Sequence, residues 1–361
     1  MALAPSSATD PAADNAHIDA PELRLFVMAL FFIFGGITAL NDVIIPKLKE
    51  LFTLNYTQAM LVQFCFFTAY LLIGIPGAAL VKRIGYMRGA TVGLLTMMAG
   101  CLLFIPASQS AAYPLFLLAL FVLASGVVVV QVVTNPLITL LGPARTASSR
   151  LTFAQAFNSL GTVVFPAVGA SLILGSLARV SAADLTGPAL DAYRVAETQT
   201  VVRTYIGLAI ALAMVAGVVW LNRNRLKGER HESGSFLASF SLLRIPRFAF
   251  GATCIFLYVG AEVSIGSLIV NYFQQPHVLG LGAEAAGRYI PYYWGGALVG
   301  RFLGSAVLTK VNPGKVLAFN AIAAIALIVV SGATTGDVAA WSLLLVGLAN
   351  SIMFPTIFTL A

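Results

Sequence analysis

Charge is what this sequence has least of. Lys, Arg, Asp and Glu make up 10% of its 361 residues, where a soluble globular domain carries about 25%. No soluble fold has enough interior to hide the apolar remainder. Histidine and cysteine are scarce as well, with three of each. His17, His231 and His277 fall outside the apolar runs. Cys65, Cys101 and Cys254 sit singly in separate runs, so neither a metal-ligand spacing nor a redox pair is formed. Gly-rich phosphate loops, nucleophile elbows and metal motifs are missing, and an enzyme needs such a constellation. The expectation is no catalysis, no metal and no cofactor. The N-terminal residues lack the basic start and short apolar core of a signal peptide. They are polar, acidic and rich in Ala and Pro, and residues 1–23 read as a disordered cytoplasmic tail.

What is abundant is apolar sequence: 59% hydrophobic residues and a mean hydropathy of +0.91. Runs of about 20 apolar residues, each able to cross the hydrocarbon core as a helix, recur along the chain. Ten spans are expected, at 24–48, 57–81, 87–107, 113–141, 149–175, 201–221, 246–274, 284–309, 314–332 and 338–361. The fold class is therefore an all-α polytopic membrane protein, with the lipid bilayer as its surroundings. The net charge of +7 does not point to nucleic acid, because the basic residues gather in short loops. One set of loops holds Lys82, Arg83, Arg88, Arg145, Arg150, Arg223, Arg225, Lys227, Arg230, Arg244, Arg247, Lys310 and Lys315, with Arg24 flanking span one on that side; the opposite set holds Lys47, Lys49, Arg179 and Arg194. The richer side is expected to be cytoplasmic, and the N-terminus with it.

A basic segment, 222–245, separates six spans (24–221) from the rest (246–361). Short matches recur at an offset of six spans. "FFIFGGITAL" in span one faces "FLYVGAEVSI" in span seven, and Pro136 of span four faces Pro355 of span ten. That pattern fits a parallel repeat of six plus six. The second half holds only four spans, so two more are expected beyond Ala361, and the C-terminal bundle is expected to be incomplete. A natural ten-span protein is the alternative.

Of fourteen acidic residues, only Asp42 and Glu262 lie deep in apolar runs. A charge at mid-bilayer costs roughly 2.5–3.5 kcal/mol and marks a pocket or proton route by default. A structural ion pair, a helix cap or, for Asp42, snorkelling are the bland alternatives. Asp42 shares a face with Thr38 and adjoins Asn41, and Pro46 weakens the helix one turn later. Glu262 shares a face with Tyr258. Gln131 and Asn135 lie one turn apart in span four, as do Gln155 and Asn158 in span five. Paired amides offer several donors and acceptors, which suits an uncharged polyol; gluing helices together is the alternative. Asn271 is a further candidate, though an ideal helix turns it away from Glu262. Trp294, Tyr289, Tyr292 and Tyr293 offer either a stacking surface for a sugar or an interfacial belt.

Six stretches then carry a resemblance: "FFIFGGITALNDVIIPKLKELF", "TNPLITLLGP", "SRLTFAQAFNSLGT", "FLYVGAEVSIGSLIVNYF", "YYWGGALVGRFLGS" and "ANSIMFPTIFTLA". From about Leu25 onward the chain resembles the major facilitator superfamily, specifically its fucose–proton symporter family and the bacterial glucose/galactose branch. The loop "GAALVKRIGYMRG" is a degenerate form of the superfamily's general motif, with Lys82 where an acid is usual.

The resemblance implies two six-helix bundles in a bacterial cytoplasmic membrane, with a sugar cavity between them. It also implies import of a neutral monosaccharide, glucose or galactose, driven by a proton gradient through alternating access. Asp42 corresponds to the family acid in "LND", and Gln155 and Asn158 to its amide pair. The fucose transporters carry a glutamate where this chain has Gln131, and an amide does not titrate. Coupling is therefore expected at Asp42, with Glu262. Thr38, Asn41, Asp42, Gln131, Asn135, Gln155, Asn158, Tyr258, Glu262, Asn271 and Trp294 are the expected sugar-binding residues. Sodium coupling, facilitative transport, L-fucose or another sugar, and a non-transporting receptor or scaffold stay open, and a monomer is expected.

Overall fold

In hydrocarbon a backbone has no water to bond, so a spanning segment must satisfy its own N–H and C=O groups. A computed structural model describes residues 22–110, 112–173, 186–224, 226 and 241–361, and these form helices and no strands. The expected tail up to residue 21, residues 174–185, and residues 225 and 227–240 of the expected linker lie outside the described residues. So do the side chains of Asn41 and Asp42. The helices are α1 (Glu22–Leu51), α2 (Tyr56–Ile84), α3 (Tyr86–Gln109), α4 (Tyr113–Leu140), α5 (Ala147–Ile173), α6 (Pro188–Leu221), α7 (Pro246–Phe273), α8 (Ala283–Gly287), α9 (Ile290–Val307), α10 (Pro313–Ala333), α11 (Gly336–Asn350) and α12 (Met353–Leu360).

Among the described residues, nine stretches are long and apolar enough to cross a membrane. The expected eighth span is not one of the nine. It begins as the short helix α8 and restarts as α9, which is 18 residues long, has Pro291 in its first turn and carries Arg301 in its interior. Large apolar side chains point outward along the spans: Leu71 is 79% exposed and Phe256 77%. Such a surface is stable against lipid and not against water.

The helix boundaries depart from expectation in four places. α1 starts at Glu22, inside the expected tail, and continues past Pro46 to Leu51. α6 begins at Pro188, thirteen residues before the expected span. Proline is favoured in a first helical turn, and "ALDAYRVAETQT" is rich in helix formers, so the helix extends beyond its apolar part. Its 34 residues reach about 51 Å, well over the hydrocarbon thickness. The eighth span is split into α8 and α9. The tenth is also interrupted, at Ser351 and Ile352, between α11 and α12. Pro355 has no N–H to give the Ser351 carbonyl four residues earlier.

The described residues gather into two compact units. One holds 28–135 and 157–244. Within it α3 packs along α6 and against α2, and Tyr205 stacks on Phe104 with ring centroids 4.0 Å apart. α1 and α5 meet where side chains vanish: a Cβ at Gly35 would collide with Asn158, and one at Gly161 with the Phe32 carbonyl. Small residues let membrane helices approach this closely.

The other unit holds 136–156 and 245–361, with the start of α1 up to Val27. Here α11 packs on α9 and α10, and α12 on α7 and α10. Ile269, Phe273, Tyr293, Leu344 and Met353 belong to its core. Carbonyls in the last turn of α4 and just beyond it are taken by two guanidinium groups. Arg150 donates to the carbonyls of Thr139 (2.6 Å), Gly142 (3.0 Å), Pro143 (2.9 Å) and Ile138 (3.2 Å). Arg24 Nε donates to the Leu141 carbonyl at 2.8 Å. Cations are favoured at a helix C-terminus. The first turns of α5 are held by Ser149 Oγ donating to the Ser305 carbonyl (2.7 Å) and by the Ser148–Thr359 hydroxyl pair (2.6 Å).

Gly161→Val should cost about 1–3 kcal/mol by overpacking the α1–α5 contact. A lower thermal unfolding midpoint in detergent is the expected result. Gly207→Ala, where an added Cβ meets nothing within 4 Å, should leave the midpoint unchanged or slightly raised.

Candidate functional site

Each unit carries a polar cluster inside its apolar packing. In the unit of 28–135 and 157–244, three helices contribute. Gln131 of α4 donates from Nε2 to the Tyr70 hydroxyl oxygen of α2 at 3.1 Å. The Tyr70 hydroxyl in turn bonds the Thr38 side chain on α1. Thr38 Oγ1 donates to the Phe34 carbonyl at 2.8 Å. Gln131 enters this chain as a donor, a role an amide nitrogen keeps at every pH. Asn158 of α5 donates from Nδ2 to the Phe31 carbonyl on α1 at 3.4 Å, beside Gly35. Asn135 lies half-buried one turn beyond Gln131 on α4. Asn41 and Asp42 continue α1 beyond Thr38, and the structure places their backbone in that helix.

The second cluster, in the unit of 136–156 and 245–361, surrounds Glu262 on α7. Its Oε1 is buried and has no hydrogen-bond partner among the described residues, while the Tyr258 hydroxyl one turn earlier bonds the carboxyl. The same hydroxyl contacts the Asn350 carbonyl at 3.0 Å. Asn350 Nδ2 donates to the Tyr293 hydroxyl oxygen (3.3 Å), and Tyr293 donates to the Glu262 carbonyl (3.2 Å). Arg301 on α9 acts electrostatically on Glu262. Its Nε lies 3.4 Å from the Ser351 carbonyl, the one Pro355 leaves without a helical donor, and its Nη1 lies 3.4 Å from the Gln155 carbonyl. Gln155 is itself buried. Trp294 packs edge-on against Tyr293 and covers Gly266, where a Cβ would sit 2.7 Å from its ring.

Thr38 and Gln131 are thus joined through Tyr70, Tyr258 and Glu262 are in contact, and Trp294 lies against Tyr293. Asn271 is exposed near the end of α7, about 13 Å along the axis from Glu262. Its carbonyl accepts from Gln275 at 3.4 Å. Tyr292 turns outward and pairs with Trp341, at 57% and 47% exposure, as a membrane-interface belt does.

Sequence reading missed Tyr70, Asn350 and Arg301. Arg301 left a signal: an arginine inside an apolar helix is as costly as the two acids that were singled out. Tyr70 and Asn350 left none, because a lone Tyr or Asn in a span has many bland explanations. Chemically, the two clusters present amides, hydroxyls, aromatic edges and one carboxyl oxygen in want of a donor. A neutral polyhydroxylated ligand supplies such donors, and an unmet buried acceptor favours whatever ligand brings one.

Comparison with known proteins bears on this chemistry. The model of the Major Facilitator Superfamily matches residues 26–361. A glucose/galactose transporter of Brucella abortus biovar 1 (strain 9-941) is 50% identical over 332 residues, which cover 92% of this chain and 78% of that protein. The L-fucose-proton symporter of Escherichia coli (strain K12) is 33% identical over 356 residues, covering 95% and 81%. The crystal structure of the transporter FucP in its outward conformation superposes with a TM-score of 0.84 at 33% identity, over 93% of this chain and 83% of that one.

If Arg301 balances Glu262, Arg301→Ala should lower the thermal unfolding midpoint, and Arg301→Ala with Glu262→Gln should recover part of the loss. Tyr70→Phe should raise the half-saturating concentration of transported substrate by about 3–10-fold, the effect of one hydrogen bond. Uptake assays over a substrate range check this.

Proposed function

Because this chain belongs to the Major Facilitator Superfamily, we propose that it imports a neutral monosaccharide, glucose or galactose, across a bacterial cytoplasmic membrane together with a proton. The observation that carries this reading is the donor role of Gln131. An amide donates to Tyr70 at every pH, whereas a carboxylate at the same place would have to be protonated first. The resemblance puts a glutamate at this position in the fucose transporters. Its replacement here leaves Asp42 as the acid deep in the apolar runs of the first half, and the relatives at 43–50% identity are named for glucose and galactose while those at 25–33% are named for fucose.

The mechanism follows from the price of a charge in hydrocarbon. Asp42 takes a proton from the outer side, and the neutral form tolerates closure of the surrounding helices around sugar. Gln131, Asn135, Gln155, Asn158 and Glu262 bond the hydroxyls, with Asn41 and Thr38 beside them. Tyr258 and Trp294 meet the apolar faces of the ring, as aromatic side chains do. The two halves then rock, and sugar and proton leave on the inner side.

An Asp42→Asn protein should lose sugar accumulation against a gradient while keeping exchange of labelled for unlabelled sugar. Counterflow and net uptake, measured on the same proteoliposomes, separate the two. Undiminished accumulation by this variant contradicts the assignment.

A further inference from the structure

A cavity of about 570 Å³ opens between α3 and α6, shares no lining residue with either polar cluster, and lies wholly within the unit of 28–135 and 157–244. Its walls are apolar but for Thr91, whose hydroxyl donates to the Met87 carbonyl at 3.1 Å: Val92 and Leu95 lie on one side, Ala213, Ala216 and Gly217 on the other, with Ile84 and Trp220 near one end. That end is basic. Arg88 lines it, and Arg223 stacks on the Trp220 ring with Cζ 4.3 Å from the centroid. Arg88 also sits in the first turn of α3, where the helix dipole disfavours a cation and an anion relieves the conflict. Both arginines belong to the loops whose Lys and Arg excess marks the cytoplasmic side.

We propose that this groove binds one anionic glycerophospholipid, with an acyl chain along the apolar walls and the phosphate against Arg88 and Arg223. Charge complementarity selects the occupant. A hydrocarbon groove ending in two guanidinium groups at the membrane interface matches an apolar tail under a negative headgroup, and basic pockets between spans are known lipid-headgroup sites. Tryptophan beside them fits the same depth, since its ring prefers the interface. The volume is in the range of small-ligand pockets. Gly217 keeps the groove open: a Cβ there would meet nothing within 4 Å, so a larger side chain would fill the groove instead of striking protein. This site stands apart from sugar transport and does not rest on it.

The test is native mass spectrometry of the purified full chain in detergent, titrated with phosphatidylglycerol or phosphatidylcholine. The wild-type protein should retain phosphatidylglycerol about tenfold better. Gly217→Phe should reduce retention of both lipids. Arg88→Gln with Arg223→Gln should equalise them, and this arm decides alone if Gly217→Phe does not fold. Equal retention of the two lipids by wild type, unchanged retention by Gly217→Phe, or a dimer mass that Gly217→Phe abolishes would overturn the proposal.

Discussion

A carbonyl without a donor in hydrocarbon costs several kcal/mol, and the functional architecture of this protein is arranged around the places where its helices cannot supply one. Pro355 interrupts the last spanning stretch and leaves the Ser351 carbonyl without its helical partner; Arg301 reaches it from α9. The neighbouring Asn350 carbonyl accepts from Tyr258. At the end of α4, Arg150 and Arg24 serve five more carbonyls between them. At the break and at the helix end alike, polar side chains enter that an apolar span would otherwise exclude.

Those recruits do more than close the backbone. Arg301 brings a positive charge toward Glu262 and ties the Gln155 segment of α5 to the α11–α12 break. Tyr293 and Asn350 hold the Glu262 turn through a second chain of hydrogen bonds. Side chains already ordered by hydrogen bonds spare a binding ligand part of its entropic cost. In the other unit Gln131, Tyr70 and Thr38 form the same kind of preset surface. The amide at 131 moves the burden of proton coupling in the proposed mechanism onto Asp42.

Much of this was legible in the sequence, and the limits are physical. Spans follow from runs of about 20 apolar residues because bilayer thickness fixes their length, and Asp42 and Glu262 stood out because intramembrane charge is costly. The same argument, applied to cations, would have found Arg301. Sequence missed the break after Asn350, since a proline in a membrane helix is often tolerated: Pro76, Pro106, Pro136 and Pro166 all sit inside continuous helices. The early start of α6 was hidden because hydropathy marks where the bilayer ends and says nothing of where a helix does. Tyr70 and Asn350 became visible only through their partners, 61 and 57 residues away in sequence.

In the proposed mechanism, sugar import is driven by protons. The decisive measurement uses purified protein in sealed proteoliposomes, given labelled glucose or galactose with an imposed pH gradient acidic outside. Transient accumulation above the external concentration, abolished by a proton ionophore, is the expected result. Accumulation that follows an imposed sodium gradient instead, or equilibration without accumulation under either gradient, would rule proton coupling out.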